Sequence, residues 1–151
     1  MNIAINILSF IIAFAFMEGF AWFMHKYIMH GMGWFLHKSH HEPRHGRFEL
    51  NDLYAFIFAI PAIILMWFGT PEFNYLFWLG SGITAYGLSY FLFHDVLVHR
   101  RLKHNVKPGN SYLQRIIRAH KIHHKKMSKE DGQAFGFLFA DKRFDVKRTD
   151  E

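Results

Sequence analysis

The chain has 151 residues, of which 51% are hydrophobic and 19% aromatic, with 12 histidines, no cysteine and a formal net charge of +6. The length allows one domain, and the lack of cysteine excludes disulfides, iron–sulfur clusters and thiolate metal sites. In a soluble protein the positive charge would suggest nucleic-acid binding, but here the basic residues lie between and after long apolar runs and form no nucleic-acid-binding motif. We therefore expect one integral membrane domain over residues 1-151 and no nucleic-acid partner.

Three apolar runs have about the length that a bilayer requires. The first covers residues 3-24, with Glu18 as its only ionisable residue, and it lacks the basic start and the cleavage site of a signal peptide. The second covers residues 53-69, is short for a span, and contains Pro61, which predicts a kink. The third covers residues 73-98 and is longer than one span needs, so its last two turns should project through the interface.

The basic residues predict how these spans are oriented. All 18 lysines and arginines lie in residues 25-51 and 99-151, which three spans would place on one side of the membrane. The positive-inside rule makes that side cytoplasmic and the N-terminus external. The sequence thus predicts an all-α membrane protein with three spans, or four. Residues 25-51 and 99-140 should form a cytoplasmic helical cap, and residues 141-151 a polar tail.

Ten of the twelve histidines form two copies of a pair of motifs. HxxxxH occurs at His25 and His30 and again at His94 and His99, and HxxHH occurs at His37, His40 and His41 and again at His120, His123 and His124. Positions i, i+3 and i+4 share one face of an α-helix, so each HxxHH motif should direct three imidazoles the same way. Positions i and i+5 lie well apart on a regular helix, so each HxxxxH pair should straddle two metals or span a helix end. Ten imidazoles match two metals with four or five ligands each.

Local signals place both HxxHH motifs on helices. Ser111 with Gln114 forms a predicted capping box at the start of the second helix, and Pro43 should end the first. One histidine motif alone would as often be structural as metal-binding, but two copies of each motif on one predicted side favour metal ligation. His45 and His104 lie outside the motifs and are interpreted as ordinary polar residues.

The ligands narrow the choice of metal only in part. Imidazole suits zinc, copper, iron and nickel, but zinc sites rarely need ten histidines. Two redox metals beside apolar helices suit dioxygen activation, so we expect two iron ions, with zinc substitution in purified samples. The alternative from a different class is a metal-binding or metal-transporting membrane protein, which should place its ligands at mid-membrane.

Two carboxylates are candidates to interact with the metal-binding imidazoles on the side away from the metals. Asp95 follows His94 directly and is a candidate acceptor for an imidazole N–H; its alternative is an exposed interfacial carboxylate. Glu18 lies two turns deeper than His25 on the same face, and an ionisable group inside a span is a functional hypothesis by default. Its alternative is a hydrogen-bonded packing contact inside the membrane. The candidate partners for that contact are Ser81, Ser89 and Tyr90.

Four segments carry a resemblance to a known family. They are residues 34-41 (WFLHKSHH), 48-52 (FELND), 94-101 (HDVLVHRR) and 135-140 (FGFLFA). In this order they resemble the membrane fatty acid hydroxylase/sterol desaturase superfamily and, within it, the β-carotene 3-hydroxylase family, from about Glu18 to Ala140. One departure is that the family often continues the last segment with prolines, where this chain has Asp141 and Lys142.

The resemblance implies a non-haem di-iron monooxygenase of the bacterial cytoplasmic membrane. It would hydroxylate β-carotene at C3 and C3′ of the β-ionone rings, giving β-cryptoxanthin and zeaxanthin, with dioxygen and reduced ferredoxin as co-reactants. The dimetal centre itself would be the catalytic apparatus, with no separate catalytic side chain. The alternative within the superfamily is a hydroxylase or desaturase of fatty acyl or sterol lipids.

The sequence carries no Gly-rich nucleotide loop, so electrons should arrive from another protein. A set of cytoplasmic cations could dock an acidic ferredoxin, or could only enforce topology and contact lipid headgroups. These cations are Arg100, Arg101, Lys103, Lys125, Lys126 and Lys129.

Overall fold

The computed structural model describes residues 2–43, 46 and 48–145, and every regular element within these residues is helical. His45 lies outside the described residues. The five α-helices are α1 (Ile3–Phe23), α2 (Trp34–His41), α3 (Tyr54–Gly69), α4 (Tyr75–Tyr90) and α5 (Ser111–His124). Two π-helices (Met24–Met32 and Phe91–Val98) follow α1 and α4, and short 3₁₀ turns cover Leu50–Leu53 and Lys142–Phe144.

Three continuous helical stretches are long and apolar enough to cross a membrane. They cover Ile3–Met32, Leu50–Gly69 and Tyr75–Val98, because each π-helix extends the α-helix before it. The predicted all-α fold with three candidate spans is confirmed. The first span extends beyond residue 24, so the first HxxxxH motif lies on the span helix itself. Pro61 lies inside α3 without ending it.

Helix α4 packs along both α1 and α3, and glycines on two of its faces allow the close approach. A Cβ atom at Gly82 would lie 2.5 Å from the Phe10 carbonyl oxygen of α1, and one at Gly80 would lie 2.6 Å from the Ala62 carbonyl oxygen of α3. Small residues at these points let the helix backbones meet, as is common between membrane helices. The three spans therefore form one layer with α4 in the middle.

The two HxxHH helices differ slightly from the predicted boundaries. Helix α2 ends at His41, just before Pro43. Helix α5 begins at Ser111, but its cap is Asn110, whose side-chain oxygen accepts from the Leu113 N–H at 2.8 Å. The predicted capping box at Ser111 is wrong because the neighbouring asparagine, an equally strong cap, takes that position.

The chain after α5 folds back against the spans. Phe137 of this segment is buried with Met17 of α1 and Tyr86 of α4. Met17 and Tyr86 lie eight residues before His25 and His94, so Phe137 packs about two turns deeper in the bundle than those histidines. The C-terminal segment therefore closes the bundle below the level of the histidines.

Candidate metal centre

All ten motif histidines come together in two clusters of five. The first cluster contains His25, His30, His37, His41 and His123, and the second contains His40, His94, His99, His120 and His124. Within each cluster one ring nitrogen of every imidazole lies within 4.8 Å of the corresponding nitrogens of the other four. The structure thus brings together the residues that the motifs single out, and it divides them into two sets of equal size.

The two HxxHH helices each contribute to both clusters. In each motif the first and third histidines, four residues apart, join one cluster and the middle histidine joins the other. Thus α2 sends its middle histidine, His40, to the second cluster, and α5 sends His123 to the first. The three imidazoles of one motif therefore face two metal positions, and each position draws on both halves of the chain.

The two π-helices determine where the HxxxxH pairs point. Met24–Met32 carries the first pair, and Phe91–Val98 carries His94 and is followed by His99. In a π-helix the N–H of residue i+5 bonds to the carbonyl of residue i, so these residues stack on one face. The His99 N–H indeed donates to the His94 carbonyl oxygen at 2.9 Å.

Both histidines of each HxxxxH pair consequently join the same cluster. The alternative that a pair straddles two metals, which rests on regular α-helical spacing, is wrong. The physical reason is the π-helical backbone, which brings residues five apart onto one face. The other alternative, that a pair spans a helix end, holds for His94 and His99, because His99 is the C-cap of Phe91–Val98.

The Nε2 atoms of neighbouring imidazoles converge in both clusters. In the first cluster the distances are 3.1 Å for His25–His37, 3.2 Å for His37–His41 and 3.2 Å for His30–His123. In the second they are 3.2 Å for His40–His94 and 2.8 Å for His99–His120. Two nitrogens that each lie about 2.1 Å from one metal ion are about 3.0–3.4 Å apart in octahedral or tetrahedral arrangements. The spacing fits a shared metal ion in each cluster.

The opposite ring nitrogens of the first cluster all meet oxygen acceptors. The Nδ1–H groups donate from His25 to the Phe135 carbonyl (3.0 Å), from His30 to that of Lys129 (3.1 Å), from His37 to the Asn51 side-chain oxygen (2.7 Å), from His41 to the Lys126 carbonyl (2.8 Å) and from His123 to that of Gln133 (2.8 Å). Because Nδ1 carries the proton, each neutral ring presents an Nε2 lone pair. Lone pairs that face each other at about 3 Å require a cation between them.

Two histidines of the second cluster donate to carboxylates instead. His40 Nδ1–H donates to Glu49 at 2.8 Å, and His94 Nδ1–H donates to Asp95 at 2.8 Å. Asp95 thus lies where an acceptor for an imidazole N–H was expected. Glu49 was not singled out from the sequence, although it lies in the FELND segment. Carboxylate partners make a histidine a more basic ligand, so the second cluster offers the stronger electron donors.

Arg101 joins these carboxylates in one buried network. Its guanidinium lies 2.6 Å from Asp52, 3.3 Å from Glu49 and 3.6 Å from Asp95. Only 13% of its side chain is exposed. The expectation that Arg101 belongs to an exposed docking surface is wrong, because three carboxylates hold it beneath the surface. The other five cations of that predicted surface are exposed.

Burial keeps the imidazoles of α2 and α5 neutral. Burial, together with the neighbouring imidazoles, lowers the pKa of both His37 and His123 to about 3. The pKa of His41 falls to about 4 for the same reasons. Neutral imidazole is the form that binds metal ions. In the second cluster, the Nε2 of His124 is buried and has no hydrogen-bond partner within the described part of the chain, as expected for a nitrogen reserved for a metal.

Glu18 lies outside both clusters and does not contact the expected partners. Its carboxylate accepts the Tyr86 hydroxyl at 2.8 Å and the backbone N–H groups of Phe137, Leu138 and Phe139 at 2.9–3.0 Å. Ser81 and Ser89 instead donate to carbonyls of their own helix. The expected packing contact with Ser81, Ser89 or Tyr90 is wrong, because Tyr86 and the backbone of residues 137–139 occupy the Glu18 carboxylate instead.

Comparisons with known proteins agree with this arrangement. A family model described as fatty acid hydroxylase matches residues 10–145. A β-carotene hydroxylase of Pantoea ananas is 49% identical over 124 residues, which are 82% of this chain and 71% of the relative. One of Pseudescherichia vulneris is 48% identical over 143 residues, 95% of this chain and 81% of the relative. One of Paracoccus sp. strain PC1 is 42% identical over 138 residues, 88% and 85% of the two chains. No solved structure matches the chain.

Proposed function

The chain belongs to the fatty acid hydroxylase family, and from that premise we propose that it is a membrane enzyme that hydroxylates β-carotene. The observation that carries the proposal is the pair of five-histidine clusters at the ends of apolar helices. The relatives named β-carotene hydroxylases, at 42–49% identity over most of the chain, support the choice of substrate. Hydroxylation at C3 and C3′ of the two rings, giving β-cryptoxanthin and zeaxanthin, is the specific reaction we propose.

Each cluster is proposed to bind one iron ion through its five imidazoles, with zinc as a substitute in purified samples. The lone pairs that converge in each cluster support a cation there, and the hydroxylase family supports a redox metal. When bound, the two irons supply the reduction of dioxygen, which side chains of this chain cannot perform. The ten histidines hold the metals, and the Nδ1 acceptors described for seven of them fix the orientations of those rings.

Aromatic side chains line the membrane side of the clusters. The Tyr90 ring stacks on His94 with a centroid distance of 4.3 Å, and the Phe137 ring lies 5.9 Å from His94. The Tyr90 hydroxyl lies 3.2 Å from the His94 Nε2, but the ring faces of this aromatic floor suit a hydrocarbon ring that enters from the bilayer, and they exclude water from the reacting C–H bond. We propose that the substrate ring approaches the metals over this floor, with the remainder of the polyene in the lipid.

Electrons are proposed to arrive from a ferredoxin at the exposed segment 125–129. Lys125, Lys126 and Lys129 are exposed there, and the carbonyls of Lys126 and Lys129 accept hydrogen bonds from His41 and His30. An acidic partner bound to these lysines would therefore contact residues whose backbone carbonyls hydrogen-bond directly to the metal ligands. The alternative role of these cations is contact with lipid headgroups.

The orientation and the single-domain organisation over residues 1-151 are proposed on the basis of charge. The basic residues before α3 and after α4 support a cytoplasmic cap, proposed within residues 25-51 and 99-140, that carries the metal centre. Residues 25–32 continue the helix of the first span, and Phe137 reaches deeper between the spans. The basic residues also support an external N-terminus, with residues 141-151 as a polar tail. The membrane is proposed to be the bacterial cytoplasmic membrane.

Pigment analysis tests the function directly. The chain is expressed with a ferredoxin system in bacteria that accumulate β-carotene, and pigments are identified by chromatography and mass spectrometry. We expect β-cryptoxanthin and zeaxanthin from the native chain and neither product from His123→Ala. The matched control is His104→Ala, because His104 lies outside both clusters and its loss should leave both products. Unchanged β-carotene with well-expressed, iron-loaded protein would contradict the substrate and direct attention to fatty acyl or sterol lipids.

A further inference from the structure

Glu18 is the ionisable residue at membrane depth in α1, and the proposed reaction gives it no role. Three consecutive backbone N–H groups of the C-terminal segment, from residues 137–139, converge on its carboxylate at 2.9–3.0 Å. Successive N–H groups that point at one anion form a binding concavity, or nest. Lipid cannot satisfy such groups, so a non-helical segment at this depth needs an acceptor from the protein.

The same segment supplies acceptors to the first cluster. Upstream of the nest, the carbonyls of Gln133 and Phe135 accept the Nδ1–H groups of His123 and His25. A tight turn joins these carbonyls to the nest, because a Cβ at Gly136 would lie only 2.5 Å from the Phe139 carbonyl oxygen. One short segment therefore touches Glu18 at one end and two imidazoles at the other.

The second cluster does not share this dependence. Its described acceptors for His40 and His94 are Glu49 and Asp95, which lie outside residues 133–139. Displacement of the segment would thus remove the hydrogen-bond acceptors of two rings of the first cluster and leave the acceptors of these two rings of the second in place. This asymmetry separates an effect on ring orientation from general unfolding.

We propose that Glu18 is a positioning residue that clamps residues 133–139 and thereby fixes the orientation of His25 and His123 toward the metal position of the first cluster. The inference rests on the proposed metal-binding function. A carboxylate is needed because both of its oxygens accept hydrogen bonds here. Oε1 accepts all three N–H groups, and Oε2 accepts the Tyr86 hydroxyl and shares the Leu138 N–H. A glutamine that keeps its oxygen on the three N–H groups loses the charge and turns its NH₂ group toward the Leu138 N–H. The Tyr86 hydroxyl donates one hydrogen bond to the Glu18 carboxylate, but this bond does not involve residues 133–139.

Thiol labelling tests the clamp. The chain has no cysteine, and Leu138 packs against the buried core, so the Leu138→Cys background reports release of the segment through its reaction with a maleimide in native membranes. We expect the labelling rate to rise roughly tenfold or more with Glu18→Gln, because the segment opens locally. The matched control is Tyr86→Phe, which keeps the three backbone bonds and should label at nearly the Leu138→Cys rate.

Metal content, measured without the cysteine, tests the consequence. Bound iron in Glu18→Gln should fall from about two ions per chain toward about one, since ligands that lose their supporting acceptors lose affinity. In cobalt-loaded samples one of the two ligand-field signatures should disappear. Equal labelling of Leu138→Cys with and without Glu18→Gln overturns the clamp, and faster labelling with unchanged metal content and spectra overturns the link to the cluster.

A second variant keeps the test decisive if Glu18→Gln does not accumulate. Glu18→Asp retains the charge on a shorter side chain that cannot reach all three N–H groups, so it should label faster than Tyr86→Phe. Equal rates for these two variants overturn the proposal. The labelling assay needs neither β-carotene nor an electron donor, so its outcome is independent of the proposed substrate.

Discussion

At the scale of single residues, the two clusters differ in what supports their histidines. The first cluster rests on carbonyl and amide oxygens, whereas two rings of the second rest on Glu49 and Asp95. A carboxylate shifts electron density onto the imidazole and raises its affinity for a metal ion. The second cluster should therefore release its metal last, provided that these carboxylates are intact.

Replacing Asp95→Asn tests this difference. The amide keeps the shape of the side chain but removes the charge behind His94, so we expect the metal affinity of the second cluster to fall about 10- to 100-fold. Metal content is measured after dialysis against a series of chelator concentrations. Asp141→Asn is the control, because Asp141 is an exposed cap of a short 3₁₀ turn. Equal metal retention by the two variants would contradict a role for the Asp95 charge.

At the scale of the elements, close helix packing brings the metal ligands together. His25 of the first cluster and His94 of the second lie close enough for two neighbouring metal positions because α1 and α4 run side by side up to their π-helical ends. The contact depends on Gly82, where the α1 backbone leaves no room for a side chain. Gly87 lies one and a half turns further along α4 and faces open space.

These two glycines give a matched pair of substitutions. Gly82→Ala should destabilise the protein by about 1–3 kcal/mol, because the added methyl forces α1 and α4 apart. Gly87→Ala should be neutral or should stabilise the helix by up to about 1 kcal/mol. Thermal unfolding in detergent, followed by circular dichroism, measures both changes. A Gly87→Ala variant that loses as much stability as Gly82→Ala would show that helix packing is not the cause.

The sequence predicts the elements better than the way they combine. Apolar length predicts the three spans, and repetition predicts the ten histidines, since both signals are local. The distribution of histidines between clusters is not local. This distribution depends on π-helical turns, which are not anticipated when the HxxxxH pairs are placed on regular α-helices. The backbone partners of Glu18 lie about 120 residues away along the chain, and its partner Tyr86 lies 68 residues away, so no local pattern identifies them.

At the scale of the whole molecule, the metal positions join parts of the chain that lie far apart in sequence. Each cluster combines residues from the first 41 positions with residues beyond position 93. Helix α2 and helix α5 meet mainly through these imidazoles. Without metal, opposed lone pairs at about 3 Å repel one another, and α2 and α5 lose the interaction that holds them together.

Removal of metal should therefore lower stability strongly. A ligand present at about 1,000 times its Kd stabilises the folded state by about 4 kcal/mol, which corresponds to a shift of roughly 10 °C in Tm for a chain of this size. We expect chelation to lower Tm by that order and iron or zinc to restore it. The double variant His123→Ala/His124→Ala is the control and should respond far less to chelator. A Tm that does not change on chelation would contradict metal ions as links between the two halves.

Helix α2 contributes its middle histidine to the second cluster, and α5 contributes its own to the first. Metal binding by either complete cluster must therefore follow the synthesis of α5. Once residues 25–41 have left the ribosome, the nascent chain already presents four imidazoles of the first cluster and one of the second. Neither set is complete until α5 has emerged. The full metal complement can thus be acquired only after residue 124 has been synthesised, and its presence distinguishes chains that contain α5 from shorter fragments.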